Sequence, residues 1–167
     1  MTKNTKQQKI NHPISPVFDE NSEILILGSF PSVKSREVGF FYGHPQNRFW
    51  KVTAAVFDEK TPESIEEKRE FLLRNHIALW DVIESCEITG SSDASIKNVK
   101  ANDLSGILKK SCISVVFVNG KTAEKLYNKY IFPKLGKECI FLPSTSPANA
   151  AWNLEKLTNE WQKIKIK

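Results

Sequence analysis

No apolar run in this chain approaches the ~20 residues needed to span a membrane, and the start Met1-Thr2-Lys3-Asn4 lacks the apolar core of a secretory signal. A cytoplasmic protein is therefore expected. Cysteine is scarce. Cys86, Cys112 and Cys139 form no C-x-x-C pair, which argues against a zinc ribbon or a disulfide framework, and three thiols cannot ligate a four-cysteine iron–sulfur cluster. Cys112 and Cys139 border apolar runs and are expected in the core. The three histidines, His12, His44 and His76, are far apart and lack the i, i+4 pairing of a zinc-binding helix, so no metal is expected. Gly28-Ser29-Phe30-Pro31-Ser32 contains a single glycine, so neither a phosphate-cradling loop nor a dinucleotide fingerprint fits, and no cofactor is implied. Ser29, Ser32, Ser144 and Ser146 have no G-x-S-x-G elbow and no evident His partner, which disfavours serine hydrolysis.

The 167 residues, 40% hydrophobic and 26% charged, suffice for one domain with a full core. Without repeats or a Gly/Ser linker, a single domain over residues 23–167 is the simplest reading. Residues 1–22 form a polar tail that docks through Ile14, Val17 and Phe18. A net charge of +5 and a pI near 9.1 favour a polyanionic partner, although the terminal lysines Lys3, Lys6, Lys9, Lys163, Lys165 and Lys167 also fit plain solvated ends.

Apolar runs at Ile24–Leu27, Ile77–Trp80, Ile113–Val118 and Cys139–Leu142 read as buried strands. Helices are expected from Asn47 to about Asp58, with Phe49, Trp50, Thr53, Ala54 and Phe57 inward, and from Thr61 to Asn75, with Ile65, Phe71 and Leu72 inward. A short helix capped by Asn102 follows, then one after Gly120 and a last one carrying Leu154, Leu157, Trp161 and Ile164. Asp81–Cys86 reads as a turn or helical fragment, and Glu87–Val99 as a loop long enough to be functional. Strands alternating with helices predict an α/β sandwich whose core strands are mainly parallel. The strand exits at Gly28, Trp80-Asp81, Asn119-Gly120 and Pro143-Ser144 then converge along one edge, where such sheets bind ligands.

Near that edge lie residues a structural loop does not require. Phe40, Phe41, Phe49 and Trp50 fit ordinary core packing. Tyr42-Gly43-His44-Pro45, followed by Gln46 and Asn47, holds an aromatic ring, an imidazole and amides in a loop. An aromatic face can stack on a planar ring while amides read its edge, a combination suited to a nucleobase turned out of DNA.

Gly28-Ser29-Phe30-Pro31-Ser32, then Tyr42-Gly43-His44-Pro45-Gln46-Asn47-Arg48-Phe49-Trp50, then Pro143-Ser144-Thr145-Ser146-Pro147-Ala148-Asn149-Ala150 together resemble the uracil-DNA glycosylase superfamily. The likeness runs from about Ile24 to Trp161 and is nearest the hypoxanthine-DNA (deoxyinosine) glycosylase branch. The mismatch-specific uracil/thymine branch shares the His-Pro-x-Asn-Arg-Phe-Trp string. The resemblance implies a three-layer α/β/α sandwich with a four-stranded sheet and removal of a deaminated base from DNA. It places the water-orienting amide at Asn47, because Phe30 stands where mismatch-specific members carry an Asn; that departure argues against uracil removal by the usual route. Tyr42 falls where the family stacks an aromatic on the flipped base, and the Pro143–Ala150 block matches the loop entering the minor groove. The family's frequent Leu wedge is replaced there by Ala148 and Asn149.

The expected base pocket comprises Ser29, Phe30, Tyr42, His44, Trp80, Asp81 and Asn119. Asp81 either accepts the N1–H of hypoxanthine, which adenine lacks, or caps the following turn. DNA contacts are expected from Ser32, Lys34, Ser35, Ser144, Ser146, Ala148 and Asn149, with Lys121 a weaker candidate. A monomer acting on DNA containing deaminated bases is expected, with no membrane partner. A uracil- or mismatch-specific glycosylase, a non-catalytic damaged-DNA-binding module and an enzyme acting on free nucleosides stay open as alternatives.

Overall fold

The computed structural model describes residues 7–166. The segment read as a loose tail begins with a strand, β1 (Gln8–Asn11). Beyond it Ile14 and Val17 are buried, and Val17 exchanges backbone hydrogen bonds with Leu79. Strand β2 (Ile24–Gly28) is buried along its whole length. Three helices follow before the next strand, the first two being α1 (Val33–Val38) and α2 (Phe49–Val56). The first was not anticipated, because its Val33 and Val38 are exposed and give no apolar stripe. Its signal is the cap, the Ser32 hydroxyl accepting from the Ser35 N–H.

Helix α3 (Ile65–Arg74) starts later than Thr61 because Ser64 supplies the capping oxygen, with Glu66 and Glu67 in the first turn. Phe71 and Leu72 are fully buried as expected, whereas Ile65 faces solvent. Strand β3 (Ile77–Asp81) passes almost directly into β4 (Ile83–Ile88), so the expected turn at Asp81–Cys86 is a strand instead. The expected loop over Glu87–Val99 holds the end of β4, a single 3₁₀ turn at Asp93–Ser95 and the start of β5 (Lys97–Ala101). Helix α4 (Ser105–Lys109) has no side-chain cap: Leu104 stands at its N-cap, Asp103 Oδ1 accepts the Ser105 N–H, and the Asn102 amide is used elsewhere.

Strand β6 (Val115–Asn119) leads through Gly120 into α5 (Lys121–Leu126), a π-helical turn (Tyr127–Ile131) and α6 (Phe132–Leu135). The chain closes with β7 (Cys139–Leu142) and α7 (Leu154–Trp161). Of the thiols, Cys86 is buried but Cys112 is exposed and Cys139 only half-buried, against expectation, since Cys112 precedes β6 and Cys139 is the first residue of β7.

The central sheet has four parallel strands in the order β3-β2-β6-β7. On one face Ile24, Ile26, Ile77, Leu79 and Phe117 pack against α2, α3 and α7 through Phe49, Trp50, Phe71, Leu157 and Trp161. On the other, Leu25, Leu27, Ala78, Val116 and Val118 meet Ala123 and Tyr127 together with Ile83, Cys86 and Ile88 of β4. That second layer includes an antiparallel sheet, β1-β4-β5, beside the helices. The fold is thus a mixed α/β structure built on a four-stranded parallel sheet. Among the described residues no helix is long and apolar enough to cross a membrane. All four strands run the same way, so their carboxyl ends lie along one edge, and the loops leaving them form the site.

Candidate active site

A cleft of about 390 Å³ opens at that edge, lined by Gly28, Asp81, Asn119 and Ser144 from the four strand exits. Its floor is Tyr42, whose ring stacks on Phe49 at 4.1 Å with the planes 14° apart, leaving the opposite face to the cleft. Phe49 is held edge-on by Trp50 and Trp161, and each of these indoles donates to a backbone carbonyl, Phe41 O at 3.2 Å and Pro143 O at 2.9 Å. Tyr42 adopts a left-handed φ of 52°, unusual for a bulky residue and characteristic of positions held by their surroundings. The holding is visible next door: Gly43 donates its N–H to Ser35 Oγ, and a Cβ on Gly43 would lie 2.6 Å from Val38.

Three polar side chains ring the floor in one connected chain. Asn119 accepts the Thr145 N–H on Oδ1 at 3.1 Å, which fixes its amide orientation because a backbone N–H can only donate. Its Nδ2 then donates to the Tyr42 hydroxyl at 3.1 Å and to Thr145 Oγ1 at 3.0 Å. Thr145 passes its own hydroxyl hydrogen to Asn47 Oδ1 at 2.9 Å, and the Phe49 N–H reaches the same oxygen at 2.9 Å. Both acceptor positions of the Asn47 oxygen are filled, so its Nδ2–H groups are the ones left for the cleft that Asn47 lines. Burial pushes the Tyr42 phenol far above its ordinary range, and the Asp81 carboxylate pushes it further, while the Asn119 hydrogen bond acts in the opposite direction. The phenol keeps its proton.

Asp81 is buried at the end of β3. Its Oδ2 accepts from His12 Nε2 at 2.7 Å, and its Oδ1 lies 2.5 Å from where a Cβ on Gly28 would stand. The same missing Cβ would sit 3.0 Å from the Tyr42 hydroxyl, so Gly28 is a spatial requirement of the site. Asp81 does not cap a turn. Instead its backbone carbonyl accepts from the Asn102 amide at 2.9 Å.

A second carboxylate, Asp93, reaches the cleft from the β4–β5 connection and accepts from Ser29 Oγ at 3.1 Å. Burial of its carboxyl against the cleft wall raises its pKa, with Asp81 adding like charge; hydrogen bonds from Ser29 and Thr122 oppose the shift. Among the described residues no Lys or Arg lines the cleft.

The loop over residues 143–152 is held by one guanidinium. Arg48 donates to the carbonyls of Thr145 at 3.4 Å, Ser146 at 2.9 Å, Asn149 at 3.2 Å and also Trp152. Within the loop the Asn149 amide donates to Ser144 O at 3.0 Å.

Of the residues expected in the base pocket, Ser29, Phe30, Tyr42, His44, Asp81 and Asn119 line the cleft together with Asn47. Trp80 does not: one residue before Asp81 on the strand, it points elsewhere and lines a separate hollow with His12, Glu84 and Asn102. Of the expected DNA contacts, Ser32, Ser144, Ser146 and Ala148 lie at the cleft and Lys34 is exposed on α1. Ser35 also lines the cleft but is buried, its Oγ accepting from the Ser32 hydroxyl and the Gly43 N–H, and the Asn149 side chain braces its own loop. Sequence reading passed over His12, Arg48, Asp93 and Thr145. His12 had no signal, because its partner is 69 residues distant.

A parallel sheet with an aromatic-floored, amide-ringed cleft at its carboxyl edge puts the molecule among the open α/β proteins that bind ligands at strand exits. A family model described as the uracil DNA glycosylase superfamily matches residues 15–166. The chain is 34% identical over 150 residues to a hypoxanthine DNA glycosylase of Methanosarcina acetivorans, covering 89% of this chain and 93% of that protein. It is 38% identical over 137 residues to a hypoxanthine DNA glycosylase of Methanosarcina barkeri, covering 80% and 85% respectively. The solution NMR structure of a candidate uracil DNA glycosylase from Methanosarcina acetivorans superposes with a TM-score of 0.77 at 30% identity, over 95% of this chain and all of that one. The chain belongs to the uracil DNA glycosylase superfamily.

Proposed function

We propose that this protein is a DNA glycosylase that hydrolyses the N-glycosidic bond of hypoxanthine turned out of DNA. The observation that carries the reading is the Asn47 amide, its oxygen locked by Thr145 and Phe49 and its N–H groups left to a cleft floored by Tyr42. The names and identities of the Methanosarcina relatives support the choice of base.

Breaking a bond to C1′ passes through an oxocarbenium-like state, so the attacking water needs alignment more than deprotonation. Asn47, a poor base, supplies alignment by donating an N–H to the water oxygen, leaving a lone pair for C1′. As the C1′–N9 bond breaks, its electron pair moves into the base, and the proton that the water gives up on joining C1′ ends on the departing base. The backbone N–H groups near Ser29 and Phe30 face the developing negative charge. Tyr42 stacks on the purine, and Asp81 Oδ1 accepts the N1–H. Ser32, Lys34, Ser144 and Ser146 meet phosphates, and Ala148 at the loop tip fills the space left by the flipped nucleotide. Extrusion costs a few kcal/mol, least at a weak mispair, so inosine opposite thymine is excised faster than inosine opposite cytosine.

A panel of duplexes containing hypoxanthine, xanthine or uracil, assayed under single-turnover conditions, tests the reading. Release of hypoxanthine faster than uracil is the expected result. Removal of uracil without hypoxanthine overturns the choice of base, and binding without release of any base overturns catalysis.

A further inference from the structure

We propose that His12 is a positioning residue for base selection: its Nε2–H holds the buried Asp81 carboxylate so that Oδ1 stands in the cleft as an obligate acceptor for a purine N1–H. The inference rests on the reading above that Asp81 meets the base.

The direction of the His12–Asp81 hydrogen bond is fixed by its neighbours. His12 follows β1 and is anchored by its own N–H donating to Glu84 O at 2.7 Å. The Ile14 N–H points at His12 Nδ1 at 3.2 Å, which makes Nδ1 the acceptor and leaves the hydrogen on Nε2. That hydrogen goes to Asp81 Oδ2 across 2.7 Å, between side chains only 3% and 5% exposed. Phe30 and Trp80 meet the imidazole edge-on at 5.8 Å and 6.4 Å, and Phe41 adds a third ring, so water has little access to the pair. In such surroundings a hydrogen bond is stronger and its loss more costly than in water.

The carboxylate has little freedom to turn. Its backbone is fastened by Asn102, and the next residue, Val82, donates to Gly28 O at 2.8 Å. Oδ1 occupies the space that Gly28 leaves open by lacking a Cβ. With Oδ2 spoken for, Oδ1 is what a bound base meets. An ionised carboxylate only accepts. Hypoxanthine offers it an N1–H; adenine and unsubstituted purine offer a bare lone pair and are rejected. Without His12 the buried carboxylate loses the donor that fixes Oδ2 and is free to turn, so Oδ1 no longer stands as a fixed acceptor opposite N1 and selection against a bare N1 fails.

The test compares wild type, His12→Phe, His12→Gln, His12→Asn and Asp81→Ala in single-turnover excision of hypoxanthine and of purine, each opposite thymine, with folding checked by thermal melts. His12→Phe is expected to lower the hypoxanthine-to-purine rate ratio on the order of 10²-fold, given what a polar mismatch costs a built site. His12→Gln, which can still donate to Oδ2, recovers part of the ratio, and the shorter His12→Asn does not. If His12→Phe fails to fold, the contrast between the Gln and Asn variants decides. An unchanged ratio, with both substrates slowed alike, overturns the inference and leaves His12 a packing residue. An unchanged ratio in Asp81→Ala overturns instead the reading that Asp81 meets the base.

Discussion

At residue scale the site depends on a hydroxyl that never reaches solvent. Thr145 is fully buried and joins Asn47, the amide proposed to steer water, to Asn119, whose amide donates to the Tyr42 hydroxyl. Thr145→Val keeps the shape and removes the link, leaving one Asn47 acceptor position and one Asn119 hydrogen without a partner. A loss of about 1–3 kcal/mol is expected from such an unpaired buried group. Urea denaturation measures that loss, and a slower single-turnover rate should accompany it. Gly28→Ala places a carbon 2.5 Å from Asp81 Oδ1 and 3.0 Å from the Tyr42 hydroxyl, two groups held by His12 and Asn119 respectively. Base excision should collapse in this variant, with destabilisation of about 1–3 kcal/mol, typical of overpacking. Asp93 behaves differently. Its folded pKa is raised by burial, so the folded state holds the proton to higher pH than the unfolded chain does. Stability is therefore lost as pH rises from the unfolded value of about 3.9 through the higher folded one. Asp93→Asn removes that loss: its Tm should exceed wild type at about pH 7 and match it near pH 3, where both chains are neutral at this position. A lower Tm at neutral pH contradicts the sign.

At the scale of elements, Arg48 turns a loop into part of the scaffold. One guanidinium meets four carbonyls of residues 145–152, a fan of donors that the single ammonium of lysine cannot reproduce. Arg48→Lys should speed amide hydrogen exchange across residues 143–152 and slow base excision, while protection in the central strands stays as in wild type. Unchanged exchange in the loop would contradict this role. The central strands were legible in the sequence because parallel strands covered on both faces are continuous apolar runs; Ile24–Leu27 is the clearest case. Strand β4 was not, because Glu84 and Glu87 interrupt it and its pairing with β5 shifts register. Tyr42, Asn47 and Asn119 could be named early because a Gly, a Pro or a strand end isolates each of them. The His12–Asp81 pair and the Arg48 fan exist only once distant segments meet, so no local pattern announces them.

At the scale of the molecule, charge and cleft are separated. The net charge is +5, yet among the described residues the cleft holds two carboxylates and no Lys or Arg, so attraction for a phosphate backbone is expected from the rim and the general surface. Duplex affinity should fall linearly with salt on logarithmic axes, and Lys34→Ala or Lys121→Ala should each flatten the slope by about 1 if it meets a phosphate. Fluorescence anisotropy over a salt series reads this directly, and an unchanged slope removes that lysine from the interface. The proposed chemistry rests on one side chain, Asn47. The decisive measurement is single-turnover release of hypoxanthine from an inosine–thymine duplex by wild type and Asn47→Ala, with duplex affinity measured in parallel. A rate lower on the order of 10²-fold or more at unchanged affinity is predicted, the cost of losing a water's alignment. Release at the wild-type rate would contradict the assignment of Asn47 and the mechanism built on it.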